Sequence, residues 1–233
     1  MINTLILGKP GRWGTFKQWE AKGGKIKKGA KSSQVVYWNI VQTKDEKDPE
    51  SKKAIPVLRY FNVFHEDDVE GVEFKEDESK VKYDIETVDE EIENLLGLYY
   101  ERENIRVYDN VEEDKAYYSP LNHSITLPMR SQFKGKEAYY STKFHETCHS
   151  TGKTLGRDLK NSFGTKGYAR EELIAEIGSS YLMNHFGMDI EKTRQNTAAY
   201  IQSWIQAIKE DSRAVITAAG RAEKAVNLIL GAE

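Results

Sequence analysis

Phe144-His145-Glu146-Thr147-Cys148-His149-Ser150-Thr151-Gly152 is the stretch from which the rest of the chain is best read. It contains the pattern HExxH. On a helix, positions i and i+4 lie one turn apart on one face, so His145 and His149 can reach the same metal ion. Glu146 lies about 100° around the helix, close enough to hold a water on that ion. Zinc lowers the pKa of such a water to about 7, and a carboxylate that is ionised at neutral pH can take its proton. A helix over 135–151 is expected to carry the motif, with Gly152 where the chain turns away. The short strand before it, ending at Pro128, reads as a sheet edge along which an extended substrate would lie.

A catalytic zinc keeps three protein ligands and one open position. The third ligand is sought on the next helix, expected over 168–186, in Arg170-Glu171-Glu172-Leu173-Ile174-Ala175-Glu176. Glu172 and Glu176 are again i and i+4. Glu172 is assigned as the ligand and Glu176 as the group that orients a ligating histidine from behind. Glu171 points elsewhere and is the fallback ligand. This gives a gluzincin-like site with zinc as the expected ion and manganese as the alternative. Cys148 sits off the histidine face and reads as a small packed residue. His123 is a candidate to line the cleft, His65 and His185 read as surface histidines, and Tyr168 could donate to an oxyanion.

Upstream, the chain changes character. Residues 1–38 hold eight Lys/Arg against one acid, a net charge of +7, while residues 65–103 hold four Lys/Arg against sixteen Asp/Glu, a net charge of −12. A split of this size separates regions with different jobs. A strand is expected at 2–7 and a Thr15-capped helix with Phe16 and Trp19 on one face. After Gly23-Gly24 comes a basic turn bearing Lys25, Lys27, Lys28 and Lys31. Strands at 34–41 and 57–64 are expected to flank a loop at 42–54. Lysines interleaved with Trp13, Phe16, Trp19, Tyr37 and Trp38 are the combination that single-stranded nucleic acid binds, with cations along the phosphates and rings on the bases. The acidic stretch from Glu66 reads as a linker that must lie away from any DNA-binding face. Helices at 88–98, 197–209 and 212–230 and short strands at 106–109, 116–119 and 124–127 complete an α+β pattern.

The domain reading is therefore 1–70 for DNA binding, 71–84 for an acidic linker and 85–233 for the metal domain. The chain shows neither a secretory leader nor a span of about 18 apolar residues, and its one cysteine cannot form an internal disulfide, so a cytoplasmic protein without membrane contact is expected.

Several further stretches carry a resemblance. They are Ile2–Leu7, Trp13–Trp19, Gly24–Gly29, Tyr60–Phe64, Tyr117–Pro120, Ile125–Pro128, Phe144–Gly152, Tyr168–Glu176 and Ala199–Trp204. In this order they resemble the ArdC-type antirestriction proteins of mobile elements. The resemblance implies a single-stranded-DNA-binding domain joined to a zincin-like metallopeptidase domain. It implies that His145, His149 and Glu172 bind the metal and that Glu146 is the catalytic glutamate. The chain starts just before the first matching stretch, so the resemblance implies an N-terminal domain trimmed at its start. Asn122-His123 stands where the family pattern leads one to expect an aspartate.

Three functions compete at this point. One is an antirestriction protein with both activities. Another is a cytoplasmic metalloprotease acting on a protein or peptide and not on DNA. The third is a DNA-protecting protein with a structural metal. Glu146 separates the last two, because a structural site gains nothing from a base beside the ion.

Overall fold

Alternating β-branched, aromatic and polar residues from Ser33 onward produce a long antiparallel hairpin, as a half-buried pleated surface requires. The computed structural model describes Asn3, Leu7 and residues 11–44, 52–74, 88–162, 164–188 and 214–232. It divides into two units, Ile2–Lys80 and Val81–Glu233.

In the first unit the strands are β1 (Trp13–Gly14), β2 (Lys25–Ile26), β3 (Ser33–Lys44), β4 (Lys52–His65) and β5 (Val69–Glu70), with one helix, α1 (Phe16–Ala21). One sheet has the order β1-β4-β3, and β2 pairs with β5. The β3–β4 ladder runs from Ser33↔Val63 to Lys44↔Lys52. Residues 42–44 and 52–54, expected in a loop, pair in this ladder, and 45–51 lie outside the described residues. Asn3 and Leu7 are helical where a strand was expected. The Asn3 carboxamide donates to the Val36 carbonyl at 2.9 Å and accepts from the Val36 N–H at 2.8 Å, so at this position a side chain pairs with β3.

Thr15 and Gln18 form a reciprocal capping box that starts α1. Trp19 is buried and donates from Nε1 to the Phe64 carbonyl at 3.0 Å. Phe16, expected on the same face, is exposed, while the Trp19 ring packs over Gly14. The acidic stretch does not begin as a linker. His65, buried and not at the surface, accepts from the Asp67 N–H at 3.1 Å, and Val69 is buried on β5. Lys25 then stands opposite Glu70, and Lys27 Nζ donates to the Asp67 carbonyl at 2.8 Å. Basic turn and acidic stretch are neighbours, against the expectation that they occupy separate faces. Half-buried Ile26 stands opposite buried Val69, and the opposite charges of Lys25 and Glu70 favour the same pairing.

The second unit contains α2 (Val88–Arg102), β6 (Arg106–Val111), β7 (Tyr117–Ser119), β8 (Ser124–Pro128), α3 (Lys136–Thr154), α4 (Lys166–His185) and α5 (Ala214–Leu230). The helix expected at 197–209 lies outside the described residues. The sheet order is β6-β8-β7, with β8 parallel to β6 and antiparallel to β7. β8 is therefore the central strand, and all five of its residues are buried. The expected edge is wrong: β7 flanks α3 as the sheet edge. Its sequence alternates Ser124 and Thr126 with Ile125 and Leu127, yet both sets are buried, so both faces of β8 are packed.

Ile92, Leu96 and Tyr99 of α2, Ile125 and Leu127 of β8, Tyr140 and Phe144 of α3, Leu182 and Met183 of α4, and Val226 and Ile229 of α5 form the core. On the reverse side of α3, Lys143 is only 2% exposed and donates to Glu93 at 2.7 Å and Asp109 at 3.0 Å. Gly152 is helical and not a turn. An added Cβ would lie 2.7 Å from the Leu159 side chain, so the glycine allows a close approach. The turn comes at Gly156 (φ +64°), where the Arg157 N–H returns to the Gly152 carbonyl at 2.8 Å and closes a Schellman cap. Among the described residues no helix is long and apolar enough to cross a membrane.

Candidate metal centre

Helix α3 presents His145 and His149 on one face, and Thr165 caps α4 so that its first turns run alongside. The two Nε2 atoms are 3.1 Å apart. Glu172 reaches both, with Oε2 at 3.5 Å from His145 Nε2 and Oε1 at 3.4 Å from His149 Nε2. Ligand atoms of these three residues all lie within 4.8 Å of one another. That donor set, two imidazoles and one carboxylate converging on a point, suits a divalent cation with an open position.

The far side of each ring is also held. His145 Nδ1 lies 3.4 Å from Glu176 Oε2. His149 Nδ1 lies 3.1 Å from Glu171 Oε1. Sequence reasoning missed the second link: Glu171, read as pointing elsewhere, does not join the convergence point but holds His149 from behind. Arg157, also missed, donates from Nε and NH2 to the two Glu171 oxygens at 2.9 Å each. Adjacency of Glu171 to Glu172 was the available signal, since a helix step of 100° separates neighbours enough to serve the two ends of one imidazole.

Electrostatics follow from these contacts. Burial opposes charge on His145, but hydrogen bonds to Glu172 and Glu176 outweigh it and push its imidazole up to about 10. His149 moves the same way, burial opposing and Glu171 and Glu172 prevailing. Burial resists ionisation of Glu172, yet its two histidines hold it far below the usual carboxylate range. Glu146 faces the cleft, and its Oε2 accepts from the main-chain N–H of Tyr118 on β7 at 2.8 Å.

A cleft of about 300 Å³ opens over these groups, lined by Tyr117, Tyr118, Leu159, Asn161 and Tyr168 beside His145, Glu146, His149 and Glu172. His123 does not line it. Its ring is buried between the Tyr118 hydroxyl (2.7 Å) and the Glu103 carbonyl (3.0 Å), with the backbone at φ +48°. Cys148 is buried against α4, where burial pushes the thiol up to about 12, consistent with a packed residue. His185 is exposed, as expected.

In the first unit, Lys25, Lys27, Lys28 and Lys31 are all exposed. Trp38 pairs with Leu58 through its backbone, and its side chain lies outside the described residues. Tyr37 and Phe61 make an exposed edge-on ring pair with centroids 6.3 Å apart, and Arg59 stands directly opposite Tyr37.

Comparison with known proteins accords with this geometry. Residues 100–221, slightly more than half of the chain, match the zincin-like metallopeptidase family model, and residues 2–64 match the N-terminal domain of anti-restriction factor ArdC. A DNA primase TraC of Escherichia coli is 31% identical over 253 residues, covering all of this chain but only 17% of the primase. Two crystal structures of antirestriction ArdC from the R388 plasmid align over nearly the whole chain. The metal-free form has a TM-score of 0.69 at 32% identity, covering 98% of this chain and 82% of that one. The Mn(II)-bound form has a TM-score of 0.67 at 31% identity, covering 99% and 83%. The chain belongs to the ArdC antirestriction family, with an ArdC N-terminal domain followed by a zincin-like metallopeptidase domain.

Proposed function

We propose that this chain is an antirestriction protein that binds single-stranded DNA through residues 1–70 and cleaves a peptide bond at a divalent-metal site in the zincin-like domain, with 71–84 as the connection. The convergence of His145, His149 and Glu172 donor atoms, with both distal imidazole nitrogens held by carboxylates, carries the reading. Those three residues would hold the ion, zinc by donor chemistry and manganese as the alternative. A divalent ion held there would polarise a scissile carbonyl and lower the pKa of water to about 7.

The chain's own groups supply the rest. Glu146 accepts the proton of the attacking water at a carboxylate oxygen and passes it to the leaving amine. The Tyr118 N–H keeps that carboxylate beside the β7 edge, along which an extended peptide would lie. Glu176 and Glu171 orient His145 and His149. For DNA, the lysines 25, 27, 28 and 31 supply charge. Tyr37 and Phe61, flanked by Arg59, supply exposed ring faces for stacking.

The decisive test is Glu146→Gln. It should retain the metal and lose hydrolysis of a peptide library. Undiminished cleavage would exclude the mechanism, and loss of the metal as well would make Glu146 a structural element.

A further inference from the structure

We infer that Arg157 is a positioning residue that links the metal-ligand His149 to the loop forming one wall of the cleft. The inference rests on the metal reading above. Arg157 occupies the turn after α3, at the end of the Schellman cap. Its guanidinium makes four hydrogen bonds, which use both faces of its fork. On one side it grips Glu171 through two bonds of 2.9 Å. On the other it holds the end of α3, donating to the Cys148 carbonyl and to Thr151 Oγ1 at 2.7 Å each. Its side chain is only 6% exposed.

Glu171 uses the same Oε1 for Arg157 and for His149 Nδ1. The imidazole orientation therefore depends on a carboxylate that is itself fixed by a two-point, planar contact. A lysine cannot reproduce that contact. Immediately after Arg157 come Asp158, Leu159 and Asn161, which line the cleft. Leu159 packs on the bare backbone of Gly152, one turn from His149. Moving Arg157 therefore disturbs two things together, the direction of His149 and the position of the 158–161 wall. Loading the metal is therefore expected to steady the wall in turn.

The full chain, stripped with a chelator and titrated with Zn2+, tests this. Arg157→Met and Glu171→Gln should each weaken zinc affinity about 10- to 100-fold, the range for groups that orient a ligand. The double variant should be no weaker than the worse single, since both act through one link. Arg157→Lys should recover only part of the loss. Hydrogen–deuterium exchange supplies a readout that a merely structural role would not move. In the wild type, zinc should slow exchange of the 157–161 amides by roughly tenfold or more, and in Glu171→Gln that slowing should vanish. If Arg157→Met does not fold, the isosteric Glu171→Gln carries both measurements. Wild-type zinc affinity in Arg157→Met and Glu171→Gln, beside a His145→Ala control that loses zinc, overturns the inference alone. A folded wild type that binds no zinc overturns the metal reading and the inference with it.

Discussion

Gly178 on α4 faces Cys148 on α3, and a methyl group there has nowhere to go. A Cβ at Gly178 would sit 2.6 Å from Cys148 Sγ. The sulfur is fully buried and on a short side chain, so neither partner can swing aside. Gly178→Ala should therefore force the two helices apart. Helix propensity alone favours the change by about 1 kcal/mol. Overpacking of a rigid contact costs about 3 kcal/mol at the upper end of its range. The net expectation is a loss of about 2 kcal/mol.

Cys148→Ala alone removes one buried atom and should cost about 1 kcal/mol. Combined with Gly178→Ala it removes the clash, so the double variant should lie near wild type, a coupling of roughly 2–3 kcal/mol. Urea unfolding of the four metal-free proteins at constant m-value measures this. The same shift would carry Glu176 and Glu172, two and six residues upstream, away from the histidines, so zinc affinity should fall in Gly178→Ala and return in the double variant. A Gly178→Ala protein more stable than wild type, or strictly additive losses, would refute the close-contact argument.

Glu172→Gln should abolish tight metal binding, whereas Glu176→Gln should weaken it about 10- to 100-fold; the reverse order in a competition titration would move the ligand to Glu176. Because the metal-free His145 holds its proton up to about 10, loading at neutral pH should release a proton, visible as a dependence of binding heat on buffer ionisation enthalpy. The sign runs oppositely for the two states. The metal-free fold draws stability from that proton below about 6.5 and loses it as pH rises through about 10, while metal affinity grows over the same window. For DNA, fluorescence anisotropy with a labelled single strand should show Lys27→Ala/Lys28→Ala lowering both affinity and salt slope, and Tyr37→Ala/Phe61→Ala lowering affinity with the slope unchanged; equal binding by all variants would move the interface elsewhere.

The HExxH helix and the approach of Glu172 to its two histidines were legible because the ligand spacing expected of such a site is fixed, and a helix turns that spacing into proximity. Glu171 and Arg157 were not. Their partners lie 22 and 14 residues away, and only the Schellman turn at Gly156 brings Arg157 back against α4. The order of the small sheet was hidden for a related reason. Periodicity identifies a strand at 124–127 but not its neighbours, and here β6 pairs with β8, although β7 lies between them in sequence. Gly152 was misread because a glycine that admits Leu159 and a glycine that makes a turn look alike in sequence. The acidic stretch was misread because its two anchors, His65 and Val69, are outnumbered by carboxylates that carry no packing information.

One feature of the first unit bears on how the chain behaves in a crowded solution. Among the described residues the order β1-β4-β3 leaves the twelve-residue β3 as an outer border of its sheet, and such borders invite a second chain to add on and seed aggregates. Asn3 interrupts this. Its carboxamide has the same donor–acceptor pair as a peptide group and satisfies both outward groups of Val36, so an incoming strand meets a gap in the ladder it would need. A single amide thus occupies one rung of that border without adding charge to the surface proposed for DNA.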